Sequence, residues 1–188
     1  MIKNLDQPAI GMIELSSIAR GFYICDAMVK KAPIEVLMSQ TTSPGKYLIL
    51  ICGDVASVEA STQHGKELSD KDLIDSLFIP NIHHAIIPAV SGHYPKVSLE
   101  AVGIVETVSV ASAIVSADAA LKTAEVHLME LQLGKGLGGK GYFVVTGDLS
   151  EVQAALDQAE ALLMPNSKLL KKEVIASPHE EFSLRVSP

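Results

Sequence analysis

The chain has 188 residues, with 22 acidic side chains against 15 Lys and Arg and a net charge of −7. That balance speaks against a nucleic-acid binder, which shows a basic face, and no apolar run approaches the roughly 18 residues a membrane helix needs. Apolar residues make up 48% and mean hydropathy is +0.30, so either the core is large for the chain length or partner subunits cover apolar surface.

The opening MIKNLDQPAI has no signal-peptide apolar region. Two cysteines, Cys25 and Cys52, make neither a disulfide framework nor a metal spacing. A reducing, cytoplasmic setting is expected. The first strand is predicted over 9–16, and a helix starts near Ser17. Strands follow at 34–42 and 46–53, joined by a short loop. Asp54 suits the N-cap of the next helix, where a carboxylate accepts orphan amide hydrogens. A strand at 73–79 precedes a short terminal helix. Pro88, Gly92 and Pro95 then mark a linker.

Beyond it the order starts again. A strand is predicted over 101–108, then a helix from Ser109 with Ile114, Ala117, Leu121 and Ala124 at helical spacing. Strands at 126–133 and 140–147 flank a second loop. Asp148 is the next N-cap candidate, with Glu151 placed as in a capping box. A strand at 169–175 and a short terminal helix complete the pattern.

The recurrence is written in the residues. Segment 9–36 aligns with 101–128 at an offset of 92, with 9 of 28 positions identical. Gly11 falls on Gly103, Glu14 on Glu106, Asp26 on Asp118 and Lys30 on Lys122. With two residues inserted, 45–60 aligns with 139–154, and 79–86 with 175–182. Such a period defines the fold unit. It predicts a first domain at 1–90, a linker at 91–100 and a second domain at 101–188. Strands paired across short loops make each sheet at least partly antiparallel within a mixed α/β class.

The second loop holds Gly134-x-Gly136-x-x-Gly139, the spacing of a dinucleotide fingerprint. That fingerprint works by opening a helix onto the pyrophosphate. Here KGYFVVTGD follows, which reads as a strand, so no helix end receives a phosphate. It is not a P-loop either, because no Ser or Thr follows the lysine. The loop aligned with it is TTSPGK. A hairpin needs fewer glycines. The surplus points to close approach of several chains or to a ligand touching main chain, with plain flexibility as the other reading.

DAMVKKAPIEV, a short loop, a strand ending in GDVASVEA and a terminal IPNIH resemble the BMC domain of bacterial microcompartment shell proteins. DAALKTAEVHL, GDLSEVQAAL and IASPH repeat the pattern. The direct, unpermuted order is similar to the tandem-domain trimers, and nearest to propanediol-utilisation trimers that hold an iron–sulfur cluster at the pore. The resemblance implies an α/β (α+β) fold of two ferredoxin-like domains, each a mainly antiparallel four-stranded sheet flanked by helices. It implies a structural protein without catalytic residues. The expected partners are two further copies in a homotrimeric pseudohexamer, other shell proteins at its edges, and small polar metabolites passing the pore.

By the same resemblance the pore is lined by Thr42, Ser43, Pro44 and Gly45 and by Lys135, Gly136, Leu137, Gly138 and Gly139. The tile edge takes Lys30, Lys122, Asn81, His83, Ser177 and His179. Relatives often carry arginine where Asn81 and Ser177 stand. Lys30 and Lys122 read equally well as solvated helix lysines. Cluster-holding relatives carry a pore-loop cysteine where this chain has Ser43, so neither cofactor nor metal is expected. Ser43 would offer hydroxyls to a polar constriction, or simply start a Pro-Gly turn. A pore-borne metal or iron–sulfur electron conduit is the alternative, and a phosphate-binding regulator a third. Lys46, Lys135 and Lys140 are placed to give a positive mouth. His83 and His84 are adjacent, and adjacent helical positions diverge. Glu14 and Glu106 read as structural contacts because both copies carry them, and Cys25 reads as a small buried group.

Overall fold

The computed structural model describes residues 8–182. The chain divides between His84 and Ala85 into two compact units. The first contains β1 (Ala9–Leu15), α1 (Ile18–Lys31), β2 (Glu35–Thr42), β3 (Lys46–Gly53), α2 (Val55–Ser69) and β4 (Leu73–Ile79). Its sheet runs β2-β3-β1-β4, and every neighbouring pair is antiparallel. The second contains α3 (Ile86–Val90), β5 (Ala101–Thr107), α4 (Val110–Thr123), β6 (His127–Leu133), β7 (Gly141–Gly147), α5 (Leu149–Leu163) and β8 (Leu169–Ile175). Its sheet runs β6-β7-β5-β8, again antiparallel throughout.

Residues 85–100, expected as the end of the first domain and a linker, pack with the second unit. Ile86 and Ala89 are buried, and α3 lies on β6 and α4. The Tyr94 hydroxyl accepts the Leu131 amide hydrogen at 3.1 Å and donates to the Leu131 carbonyl at 3.4 Å. These bonds cover the outer edge of β6, where an edge strand would otherwise offer bare backbone groups. Among the described residues no helix follows β8; residues 176–182 make bends and a turn.

Both copies start their first helix with serine. The Ser17 hydroxyl accepts the Arg20 amide at 3.2 Å, and Ser109 accepts Ser112 at 3.3 Å. Asp54 caps α2 through the Ser57 amide at 2.9 Å, and its hydrogen bonds with Ser57 hold the carboxyl below its usual range. The capping box expected at α5 does not form. Asp148 makes no side-chain cap, and Glu151 instead accepts the Glu125 amide at 2.9 Å. The turn entering β6 leaves that amide unpaired, and it takes the carboxylate.

Helices approach the sheets closely where glycine removes a side chain. At the same repeat position, a Cβ on Gly11 would lie 2.0 Å from the Thr62 hydroxyl, and one on Gly103 would lie 2.6 Å from Leu156. A second contact is filled from opposite sides. In the first unit Tyr47 of β3 packs on Gly21 of α1, where a Cβ would meet the ring at 2.2 Å. The second unit has Ala113 and Gly141 at those places. Gly21→Ala adds helix propensity of up to ~1 kcal/mol, but the new methyl meets a fully buried ring. Overpacking of about 1–3 kcal/mol prevails. Urea unfolding of this variant shows a lower midpoint with unchanged slope; an equal or higher midpoint would contradict the packing.

Candidate functional site

Each sheet carries a carboxylate in its first strand, one residue before the last. Glu14 is fully buried and accepts Lys46 Nζ at 3.1 Å; Glu106 accepts Lys140 Nζ at 2.7 Å. Both lysines sit at the exit of the loop that joins the two strands of the hairpin. The repeat-related glutamates therefore anchor those loop exits, as structural contacts. Their surroundings differ. Asp75 lies across from Glu14 on β4, whereas Lys171 lies across from Glu106 on β8. The second carboxylate oxygen of Glu14 is buried without a hydrogen bond, as is the Thr42 hydroxyl.

The first loop is Ser43-Pro44-Gly45, with Gly45 at a φ of 72°. The second is two successive turns, closed by Leu137 N to Gly134 O at 3.4 Å and Lys140 N to Leu137 O at 3.2 Å. Gly134, Gly136, Gly138 and Gly139 all have positive φ, which side-chain-bearing residues rarely adopt. The loop joins β6 to β7, so no helix begins there to receive a phosphate. A Cβ at Gly45, Gly136 or Gly138 would meet nothing within 4 Å. The loop tips project from their own units.

Of the three lysines expected to make a positive mouth, Lys46 and Lys140 are neutralised by Glu14 and Glu106. Lys135 alone is exposed without an ion-pair partner among the described residues. A polar network absent from the sequence expectations lies beside the second loop. Glu130 accepts the Tyr142 hydroxyl at 2.7 Å and the Gln132 amide at 3.0 Å. Burial and then the Glu130 hydrogen bond push the Tyr142 phenol up, so it stays a neutral donor. Its signal was legible, because the repeat places Leu48 where Tyr142 stands and Met38 where Glu130 stands.

The other expected residues are spread over each unit. Lys30 and Lys122 lie in the last turns of α1 and α4, and each bonds the aspartate one turn back, Asp26 or Asp118, at 2.6 Å. Asn81 follows β4 with φ 56°, a conformation asparagine tolerates. Ser177 follows β8, and His179 Nδ1 accepts the Glu181 amide at 3.2 Å. His83 and His84 lie in a loop rather than a helix, and their rings stack at 4.3 Å. Among the described residues no three His, Cys, Asp or Glu side chains gather to hold a metal.

The donor set near the first loop does not suit an iron–sulfur cluster. Ser43 offers a hydroxyl where a thiolate is needed. Cys52 lies six residues along β3 from Lys46, roughly 20 Å at strand rise. Burial and then Glu35 push its thiol up to about 12. Cys25 is part-buried in α1 against the core of its unit.

The model of the BMC domain matches residues 9–82 and 101–178. The chain belongs to the BMC-domain family. The bacterial microcompartment shell protein PduT of Citrobacter freundii is 44% identical over 172 residues, covering 92% of this chain and 94% of that relative. A crystal structure of a microcompartments protein from Desulfitobacterium hafniense DCB matches at TM-score 0.89 and 41% identity, covering 93% of this chain and 97% of that one. The carboxysome shell protein CcmK2 of Synechococcus elongatus is 35% identical over 82 residues, 43% of this chain and 78% of that relative. This chain is thus a bacterial microcompartment shell protein, with a structural role in the shell and no enzymatic one. Its family assembles with other shell proteins. No helix among the described residues is long and apolar enough to cross a membrane.

The two loop anchors of this shell protein separate by burial. Lys46→Met leaves a buried carboxylate unpaired and costs about 3 kcal/mol. Lys140→Met removes a pair half open to water and costs under about 1 kcal/mol. Chemical denaturation of both variants reads the difference, and equal losses would refute the assignment.

Proposed function

We propose that three copies of this chain close into a pseudohexameric tile whose central pore is lined by both loops. Thr42, Ser43, Pro44 and Gly45 of each copy alternate around the axis with Lys135, Gly136, Leu137, Gly138 and Gly139. The observation that carries this reading is the construction of the loops. Gly45, Gly136 and Gly138 at their tips face open space while Thr42 and Gly139 are buried at their stems, and both loops are mounted on the same Glu–Lys anchor. Closed three-fold assembly is an ordinary symmetry for such chains. Apolar surface on α1, where Phe22 is 64% exposed and Val29 46%, supplies area for subunit contact.

The pore passes small polar metabolites, and a ring of three Lys135 ammonium groups sets its charge preference. Lys30 and Lys122 lie at the tile edge beside Asn81, His83, Ser177 and His179. Each lysine is steadied by its aspartate and keeps donors for carbonyls of an adjoining tile.

Native mass spectrometry tests the assembly first. With a chain of 20.0 kDa, three copies give a species of about 60 kDa. A monomer would remove the tile reading, and a trimer with extra mass would mean an occupied pore. In planar bilayers the pore prefers anions to cations, and Lys135→Glu reverses the preference. An unchanged preference in that variant would remove Lys135 from the lining. The pair Lys30→Ala and Lys122→Ala keeps the trimer but loses extended sheets by electron microscopy; sheets of normal extent would place these lysines elsewhere.

A further inference from the structure

Each unit has a groove between its long second helix and the edge strand that follows, and only the second unit closes it. There Lys172 of β8 crosses to α5, donating to Asp157 at 2.7 Å and pairing with Glu160. Leu156 is buried beneath, against Gly103. The first unit carries the same frame with other side chains. Ser76 of β4 lies across from Ile13 as Lys172 lies across from Val105. Thr62 meets Gly11 where Leu156 meets Gly103. The repeat thus sets Ser76, Gln63, Lys66 and Thr62 where Lys172, Asp157, Glu160 and Leu156 stand. Serine is too short to cross the groove, and Lys66 brings the opposite charge to Glu160.

What remains is a cavity of about 230 Å³, lined by Glu59, Thr62, Gln63 and Lys66 of α2 and by Ser76 and Phe78 of β4. Its polar groups are unspent. The Thr62 side chain is 3% exposed and its hydroxyl has no hydrogen bond, an arrangement that destabilises a fold unless something else supplies the partner. Glu59 and Lys66 are exposed and make no ion pair among the described residues. They lie two turns apart on one helix, about 10 Å along its axis, so the cavity has a negative and a positive end. An added strand finds little to pair with on β4, because the Asp75 carboxylate takes the Ser76 amide hydrogen at 2.8 Å and Pro80 follows the strand. Recognition falls to side chains, in a volume below the roughly 300–1,000 Å³ of drug-sized sites.

We propose that this cavity binds a small zwitterion, a molecule with a carboxylate at one end and an ammonium group at the other. Lys66 and the Ser76 hydroxyl donate to the carboxylate, and Glu59 accepts from the ammonium. A ligand atom, or a water that the ligand orders, gives the Thr62 hydroxyl its missing partner. The cavity belongs wholly to the first unit, apart from the loops.

Isothermal titration of the full chain with ε-aminocaproate tests the assignment. One saturable site per chain is expected. Caproate and hexylamine, each matching one end only, bind about tenfold or more weakly, the equivalent of about 1.4 kcal/mol. The triple variant Gln63→Asp, Lys66→Glu and Ser76→Lys rebuilds the bridge of the second unit, and it loses binding while its circular dichroism is retained. Thr62→Val distinguishes a ligand site from a packing defect, because it weakens binding while raising the urea midpoint. Absence of saturable binding by ε-aminocaproate overturns the proposal, as does equal binding of the one-ended probes or binding that survives the rebuilt bridge.

Discussion

The loops of this protein depend on one interaction used twice, a first-strand glutamate holding the lysine that leaves a hairpin loop. A loop tip without packing partners is presented in a defined place only if its stem is held. Glu14 and Glu106 do that from the neighbouring strand, where antiparallel pairing brings the lysine within reach. The same contact removes the lysine charge from the loop. Presentation and electrostatics are therefore coupled, and of the three lysines only Lys135 has no such partner among the described residues.

The repeat has kept this anchor while its two copies have diverged in what surrounds it. Tyr47 against Gly21 in one unit and Gly141 against Ala113 in the other fill one helix–sheet gap from opposite sides. Beside the loops the first unit has Leu48 and Met38, and the second has the hydrogen-bonded pair Tyr142 and Glu130. A half-buried polar pair of this kind is tolerated when its groups are hydrogen-bonded. Divergence at such places leaves the sheets superposable in pattern while giving the two loops different chemistry, a Pro-Gly turn in one and a run of left-handed glycines in the other.

A shell tile needs surfaces that stay apolar until they are covered. The first unit keeps Phe22, Val29 and Val36 exposed while the second covers their counterparts. The ion pair at Lys30 sits at the other end of the scale, solvated and weak, whereas the partner of Lys122, Asp118, is buried. Apolar faces and charged helix ends are thus divided between different surfaces of the chain.

Much of this was legible before any coordinates. Apolar and β-branched runs placed all eight strands to within a residue, and serine and aspartate caps marked helix starts, because these patterns report local geometry directly. The repeat alignment also exposed both loops and both glutamates. Tertiary structure decided the remainder, since it depends on groups far apart in the chain. Pairing of Lys46 and Lys140 with strands more than thirty residues away turned an expected positive mouth into a single lysine. Glu151 left its expected cap for the Glu125 amide across a loop. Residues 91–100 read as linker because their proline and glycine are local breakers; that α3 just before them buries Ile86 and Ala89 on β6 and α4 of the second unit is set by long-range packing, which no local pattern records.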